Sequence, residues 1–432
     1  MKDTRFFKQQ SVLPAALVMN CHYNGLAIIR ELGQHGVSMT AMDHRRSVGT
    51  YSRYARYIKC PNPLVEESRF IDFLFEHGRL YDQRPIVFPT NDHWAVALAR
   101  AKQRLSERFV VCVAEPEVVE LVLDKPRFAR QGVHADWMVP RSWTADETDA
   151  VPLDAYPIIA KPNCRVIASD DAENQNRLKR FGQLRLTVLK SPSALQQFRQ
   201  EHESILSDFF FQEYVAGLSD CMYTVGVYVD AEHNIRGLFS GRKVRGFPPD
   251  SGDCIVGEVE SVPAALKDLT QRICREIGYT GIAEFEFKRD VVSGKYRLIE
   301  INPRSWSWIG ITPACGINLP WIAYTDLAGI EYAHAAESDM PNGSVKWVRI
   351  VSDLPNCLYA NRRAGYPEWS MSVRQWWRSL HAERLVTAEF AWADPLPGLV
   401  AVFAAMRNRL VAGCHRVAAL LRSVARSRCR SR

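Results

Sequence analysis

Two short segments carry the densest chemistry in this 432-residue chain. The first runs Ala283-Glu-Phe-Glu-Phe-Lys-Arg-Asp290 and the second Leu298-Ile-Glu-Ile-Asn-Pro-Arg304, with Ser293-Gly294 between them as a hairpin turn. Strand alternation puts Glu284 and Glu286 on one face of the first segment, and Glu300 and Asn302 on one face of the second. Antiparallel pairing brings Glu286, Glu300 and Asn302 together. Two carboxylates and an amide oxygen are hard-oxygen donors suited to Mg²⁺ bridging nucleotide phosphates. Carboxylates that close repel each other unless a cation sits between them. The plainer alternative is the solvated face of an edge hairpin. The run onward into Asn-Pro-Arg and the aromatic Trp306 and Trp308 favours the cation site. Glu284, outside that triad, reads as structural.

Those side chains need sheets to hold them. Ala15–Asn20 is a buried-strand run, Gly25–Gly33 has helical apolar spacing in Leu26, Ile29 and Leu32, and Val37–Asp43 returns as a strand. Pro85–Pro89, a helix from Asp92 to Leu105, and Phe109–Val113 continue the alternation. Strand, helix, strand implies a parallel sheet with helical crossovers, an α/β Rossmann-like domain over about residues 10–120. It has no GxGxxG, so a dinucleotide site there has no support. A mixed segment follows to 209, with Tyr156–Ala160 running into Lys161-Pro162. Strands dominate from Phe209: Phe209–Val215, Tyr223–Asp230, Ile235–Gly241, Gly281–Lys288 and Tyr296–Ile301, with a helix at Ala264–Ile277 ending at Gly278.

Composition narrows the class. Apolar residues make up 47% and charged residues 24%, which describes a folded chain and argues against disorder. The net charge of +7 is concentrated in the last stretch, where Arg407 to Arg432 holds eight arginines and no carboxylate. The rest of the chain is therefore near neutral, so nucleic acid is not an expected partner. Eleven cysteines include no CxxC pair, which fits reduced thiols of a cytosol. The apolar stretch Val12–Met19 contains Pro14 and reads as a first strand rather than a secretion signal.

Further motifs join the hairpin: Asp124-Lys125-x-x-Phe128, Pro157-Ile-Ile-Ala-Lys161-Pro162 and Phe211-Gln-Glu-Tyr-Val-x-Gly217. With the hairpin's carboxylate strand and Glu-Ile-Asn-x-Arg, they resemble the ATP-grasp superfamily in order and spacing over about residues 120–330. Within it, Pro89-Thr-Asn-Asp92, Arg242-Lys-x-Arg245-x-x-Pro-Pro, Asn302-Pro-Arg-x-Trp-x-Trp308, Glu368-Trp369 and Asp394-Pro-x-Pro397 resemble the D-aspartate ligase and carboxylate–amine ligase branch. The resemblance implies a pre-ATP-grasp Rossmann-like domain (1–120), a small lysine-bearing subdomain (121–209), a metal-binding catalytic subdomain (210–330) and a Trp-rich C-terminal extension (331–432).

It also implies roles. Lys125 and Lys161 would contact nucleotide phosphates, the backbone of Gln212, Glu213, Tyr214 and Val215 would read the adenine, and Asp220 would meet the ribose. Glu286, Glu300 and Asn302 would hold two Mg²⁺ ions, with Mn²⁺ an alternative. Arg304 would stabilise the transferring phosphoryl group, with Lys243 and Arg245 as further cations near the γ-phosphate. The implied activity is an ADP-forming ligase joining a small-molecule carboxylate to an amine, with a D-aspartate-like amino acid as substrate in cell-wall, polysaccharide or natural-product biosynthesis. A silent nucleotide-binding scaffold is the alternative.

Residues 163–185 depart from the family's glycine-rich phosphate loop, with only Gly182 among Arg165, Arg177, Lys179, Arg180 and Arg185. Residues 242–257 are expected to serve as a mobile lid instead. Asn91 and Asp92 sit at a strand end where substrate contacts occur. Trp306 and Trp308 fit either the walls of an acceptor pocket or anchors of the C-terminal region. Leu399–Leu421, apolar but broken by arginines, is expected to lie as a peripheral membrane helix or to pack in a homodimer.

Overall fold

The computed structural model describes residues 13–163, 186–250 and 252–408. Its first sheet contains β1 (Ala16–Met19), β2 (Met39–Asp43), β3 (Ala55–Lys59), β4 (Ile86–Pro89) and β5 (Val110–Val111). The order is β3-β2-β1-β4-β5 and every pairing is parallel. Central β1 is buried at all four positions because helices cover both faces, so its sequence is an unbroken apolar run. The helix Tyr23–Gln34 packs Leu26, Ile29 and Leu32 inward, and the helix Asp92–Arg100 is capped by Asn91, whose side chain accepts from His93 N. Edge strand β3 escapes the sequence patterning because its residues are only part-buried.

A second, antiparallel sheet is built from β6 (Ser142–Trp143), β7 (Ile158–Pro162), β8 (Thr187–Leu189) and β9 (Phe209–Glu213), in the order β6-β9-β7-β8. The expected boundary at 209/210 therefore moves, since β9 pairs with β7 from Phe209 to Glu213 and belongs wholly to this sheet. The expected phosphate loop at 163–185 lies outside the described residues apart from Asn163.

The third sheet has seven strands: β10 (Met222–Val229), β11 (Ile235–Phe247), β12 (Asp253–Val259), β13 (Gly281–Arg289), β14 (Tyr296–Asn302), β15 (Val345–Val348) and β16 (Arg384–Thr387). Their order is β14-β13-β10-β11-β12-β15-β16, antiparallel except for the parallel last pair. Two expectations change here. Of the expected extension 331–432, the described part is not separate, because β15 pairs with β12 and β16 with β15, so both extend the same sheet. Most of residues 242–257 is not loop either: Arg242–Phe247 and Asp253–Gly257 are paired strand, so the expected lid is confined to the connection between them.

Trp306 and Trp308 resolve as anchors. Both are 1% exposed and pack around Phe239, Trp308 edge-on at 5.4 Å. Gly226 and Gly257 make room for them; a Cβ at Gly257 would lie 2.5 Å from Trp308. The C-terminal region is fastened to the first domain through Asp394, whose carboxylate accepts from Arg30 Nε (2.9 Å), Ser52 Oγ (2.8 Å) and the Arg53 amide (2.9 Å). Arg30 and Asp394 are both buried. Removing one partner leaves an uncompensated charge, so Asp394→Ala is expected to cost about 3–5 kcal/mol. Thermal and urea denaturation measure this, and an unchanged midpoint would refute the clamp.

Candidate functional site

The small sheet and the seven-stranded sheet face each other across a cleft of 430 Å³. Its apolar side is formed by Ile159, Val188, Val215, Met222 and Ile299, and its polar side by Lys125, Lys161, Gln212, Lys243, Glu286, Lys288 and Glu300. An apolar slot opening onto concentrated charge matches a ligand with a flat ring at one end and anionic groups at the other.

The four lysines arrive from four elements, Lys288 from β13. Lys125 opens the helix Lys125–His134, with Asp124 as its cap. A cation in the first turn opposes the helix dipole, so helix stability does not account for it. Its ammonium reaches the Pro162 carbonyl at 3.1 Å, next to Lys161 on β7. Lys161 donates to Gln212 Oε1 at 2.8 Å across the sheet. Burial, together with Lys125 and Lys288, pulls the Lys161 ammonium down to about 8, against the pull of Glu300 and Glu286. Lys243 comes from β11 and bridges to Glu286 at 2.8 Å. Burial pushes it down, but Glu286 and Glu284 reverse that and hold it above the ordinary lysine range.

Glu286 stands directly opposite Glu300, and Glu284 opposite Asn302. A bulge at Ile299 breaks the β13–β14 ladder just beyond that carboxylate pair. The Glu300 carboxyl is raised by burial and by Glu286, and is held back by Lys125, Lys161 and Lys243. Glu284, expected to be structural, is the hub of a buried chain. Thr224 Oγ1 donates to its Oε1 and Asn302 Nδ2 to its Oε2, both at 3.0 Å. Arg304 Nη2 then donates to Asn302 Oδ1 (3.1 Å), and Arg304 Nε to Asp92 Oδ1 of the first domain (2.7 Å). Because Glu284 is an acceptor, it fixes the Asn302 amide with its oxygen turned toward Arg304. Burial first, and Glu286 next, raise the Glu284 carboxyl well above the carboxylate range.

The other expected residues fall as follows. Glu213, Tyr214 and Val215 line the cleft with Gln212, and Tyr214 N already donates to Pro157 O (3.1 Å). Glu213 also pairs with Arg141 on the outside. Asp220 lies on the turn Ser219–Cys221 with its side chain exposed, while its neighbours Ser219 and Met222 face the cleft. Arg245 is corrected. The irregular β11–β12 register between Lys243 and Arg245 separates the two cations. Arg245 forks onto Asp353 at 2.9 and 2.7 Å and reaches Ser379 Oγ, in the C-terminal region. Asn91 caps a helix, and Asp92 holds Arg304.

Two cleft residues escaped sequence reasoning. Lys288 continues the Glu284–Glu286 face of β13, so alternation alone points to it; its ammonium lies 5.3 Å from the Tyr214 ring centre. Asp250 is contributed by the β11–β12 turn, which no local pattern assigns to this cleft.

Among the described residues no group of three His, Cys, Asp or Glu forms a ready metal cage. The donors that face the cleft are the carboxylates of Glu286 and Glu300; Asn302, expected to join them, is buried behind the cleft with its amide oxygen accepting from Arg304, and could add only that oxygen's second lone pair. This set fits Mg²⁺, which takes one or two carboxylates and completes its shell with phosphate oxygens and water. The raised Glu300 carboxyl marks crowded negative charge that a cation would relieve.

No family model matches the chain. A D-aspartate ligase of Enterococcus faecium is 24% identical over 254 residues, 54% of this chain and 56% of that protein, so the match spans little more than half of this relative. Among solved structures, the biotin carboxylase domain of the 2-oxoglutarate carboxylase of Hydrogenobacter thermophilus, complexed with MgADP, ADP and bicarbonate, superposes with a TM-score of 0.56 at 16% identity, over 77% of this chain and 73% of that one. The N5-carboxyaminoimidazole synthetase of Staphylococcus aureus complexed with ADP gives 0.56 at 14%, over 76% and 80%. An L-amino acid ligase of Bacillus licheniformis gives 0.53 at 13%, over 73% and 74%. These likenesses show that the chain shares the α/β fold of these enzymes, which is the fold its motifs led one to expect.

Proposed function

We propose that this chain is an ATP- and Mg²⁺-dependent carboxylate–amine ligase that forms ADP and uses an amino acid, D-aspartate or a close relative of it, as one substrate. The observation that carries the reading is the cleft itself: Glu286 opposite Glu300, ringed by Lys125, Lys161, Lys243 and Lys288, beside an apolar slot. The likeness to a D-aspartate ligase supports the substrate class, and the likeness to ADP complexes supports the nucleotide.

In this reading the purine enters the slot between Ile159, Val215, Met222 and Ile299, against the backbone of Glu213–Val215. Lys125 and Lys161 meet the phosphates. Glu286 and Glu300, with the Asn302 oxygen beside them, would hold Mg²⁺, which when bound would neutralise charge between phosphates and incoming carboxylate. A substrate carboxylate oxygen attacks the γ-phosphorus, ADP leaves, and an acyl phosphate forms. The amine then attacks the carbonyl carbon, phosphate leaves, and the nitrogen gives up a proton. Arg304, aimed by Asp92 and Asn302, stabilises the phosphoryl oxygens in both steps. No protein nucleophile is required.

The test is ADP release with ATP and Mg²⁺ across D- and L-amino acids and small dicarboxylates, with hydroxylamine present to trap acyl phosphate. An acyl hydroxamate is expected with one class of carboxylate, and its yield should fall by at least about 100-fold in Glu300→Ala. ATP binding without ADP or hydroxamate from any carboxylate would reduce the claim to nucleotide binding.

Charge held ready for phosphate lowers stability when no nucleotide is present. The Lys161 ammonium titrates near 8 in the folded protein against an ordinary 10.5, so the unfolded chain holds that proton more tightly. At pH 7 this favours unfolding, and the cost fades as pH rises from about 8 toward 10.5. Nucleotide-free Lys161→Met is therefore expected to be more stable than wild type at pH 7, by on the order of 1 kcal/mol, with the gap closing above pH 8. The same variant should lose nucleotide affinity. Melting curves across pH with and without ATP decide it; a variant less stable than wild type throughout would show Lys161 to be a structural residue.

A further inference from the structure

The helix spanning 396–408 begins just beyond Asp394, the residue that fastens the C-terminal region to the first domain. One side of it is seated: Pro397, Gly398 and Ala401 are buried, with Gly398 against the Phe390 ring. The opposite side is bare. Leu396, Leu399, Phe403 and Met406 are 49%, 51%, 68% and 54% exposed, and Trp392, just before the helix, is fully exposed. Spacings of three, four and three residues put the four helical side chains on one face. Single exposed apolar residues are ordinary on a protein surface, but a contiguous stripe marks an interaction face.

Charge identifies the occupant. Arg407 follows the stripe directly and is exposed, and from there to the end the sequence holds eight arginines and no aspartate or glutamate. Pairing two copies of the chain through this face would bring two such cation-only stretches together, which like-charge repulsion opposes. An acidic bilayer surface satisfies both halves of the pattern: apolar side chains enter the acyl boundary while arginines stay among the headgroups. The exposed apolar side chains line one side of the helix only, which is the pattern of a helix lying in the plane of a bilayer surface. We propose that the 396–408 face, with the arginine-rich sequence after it, docks the protein on membranes carrying anionic lipid. This inference rests on neither nucleotide binding nor ligase activity.

The test is sedimentation of the full chain with vesicles of phosphatidylcholine alone or mixed with phosphatidylglycerol. Binding is expected to the mixed vesicles, to weaken at high salt, and to fall at least about 10-fold in Phe403→Glu/Met406→Glu, whose melting point should match wild type because both positions are exposed. Three outcomes overturn the proposal. The first is no binding to the mixed vesicles. The second is equal binding by the double variant, which would exclude the helix face. The third is a dimer in sedimentation equilibrium that the double variant dissociates, which would make the face an interface between copies.

Discussion

Everything in this fold is arranged around one costly feature, the placing of Glu286 and Glu300 side by side on the last two strands of an antiparallel sheet, where they face the cleft. Two carboxylates in such surroundings repel and resist ionisation, as the raised Glu300 carboxyl records. Lys243 compensates part of that charge by bridging to Glu286 from β11, across the intervening β10. Lys125 and Lys161 compensate more from the opposing small sheet. The cleft is thus an unfinished charge cluster, with cations and anions on facing walls and room between them. A ligand bringing phosphates and a divalent cation would complete both sets at once.

Holding such a cluster requires a stiff frame. The tryptophans after the Asn-Pro-Arg motif provide it by filling the space over Gly226, Gly241 and Gly257 in β10, β11 and β12. The C-terminal strands β15 and β16 widen the same sheet, and Arg245 and Asp353 tie the β11 end to the helices that follow. Arg30 and Asp394 close the circuit to the first domain. The catalytic reading and the packing reading of these basic residues are therefore distinct: Lys243 faces the cleft, and Arg245 secures the frame.

Legibility followed the range of the interactions. Local periodicity located the Rossmann-like strands, the helix Ala264–Glu276 and the carboxylate hairpin, because alternation and turn residues are properties of neighbouring positions. Motif order pointed to the fold that the structural likenesses show. Features depending on distant partners were hidden. The irregular register that separates Arg245 from Lys243 arises in pairing with β12, and the membership of β15 and β16 in the sheet depends on partners far away in the chain. Glu284 looked structural because its role is visible only once Asn302 stands opposite it. Lys288 was within reach of alternation, two positions beyond Glu286 on the same face of β13.

The chain Thr224–Glu284–Asn302–Arg304–Asp92 makes the first domain part of the site rather than a neighbour. Arg304 spans the junction, receiving its orientation from Asn302 on β14 and from Asp92 beyond the end of β4. Asn24 reinforces the same junction by donating to the carbonyls of Thr90 and Ser305. The carboxyl ends of parallel strands are where α/β sheets present ligand contacts. Under the ligase reading, the phosphoryl group and the acceptor then meet where two sheets share one guanidinium. A substrate seated against Asp92 would change Arg304's hydrogen bonding, and through Asn302 it would change the orientation of the amide oxygen facing the cation. The end of β4 and the end of β14 are thus coupled through three side chains, Asp92, Arg304 and Asn302, that span two sheets.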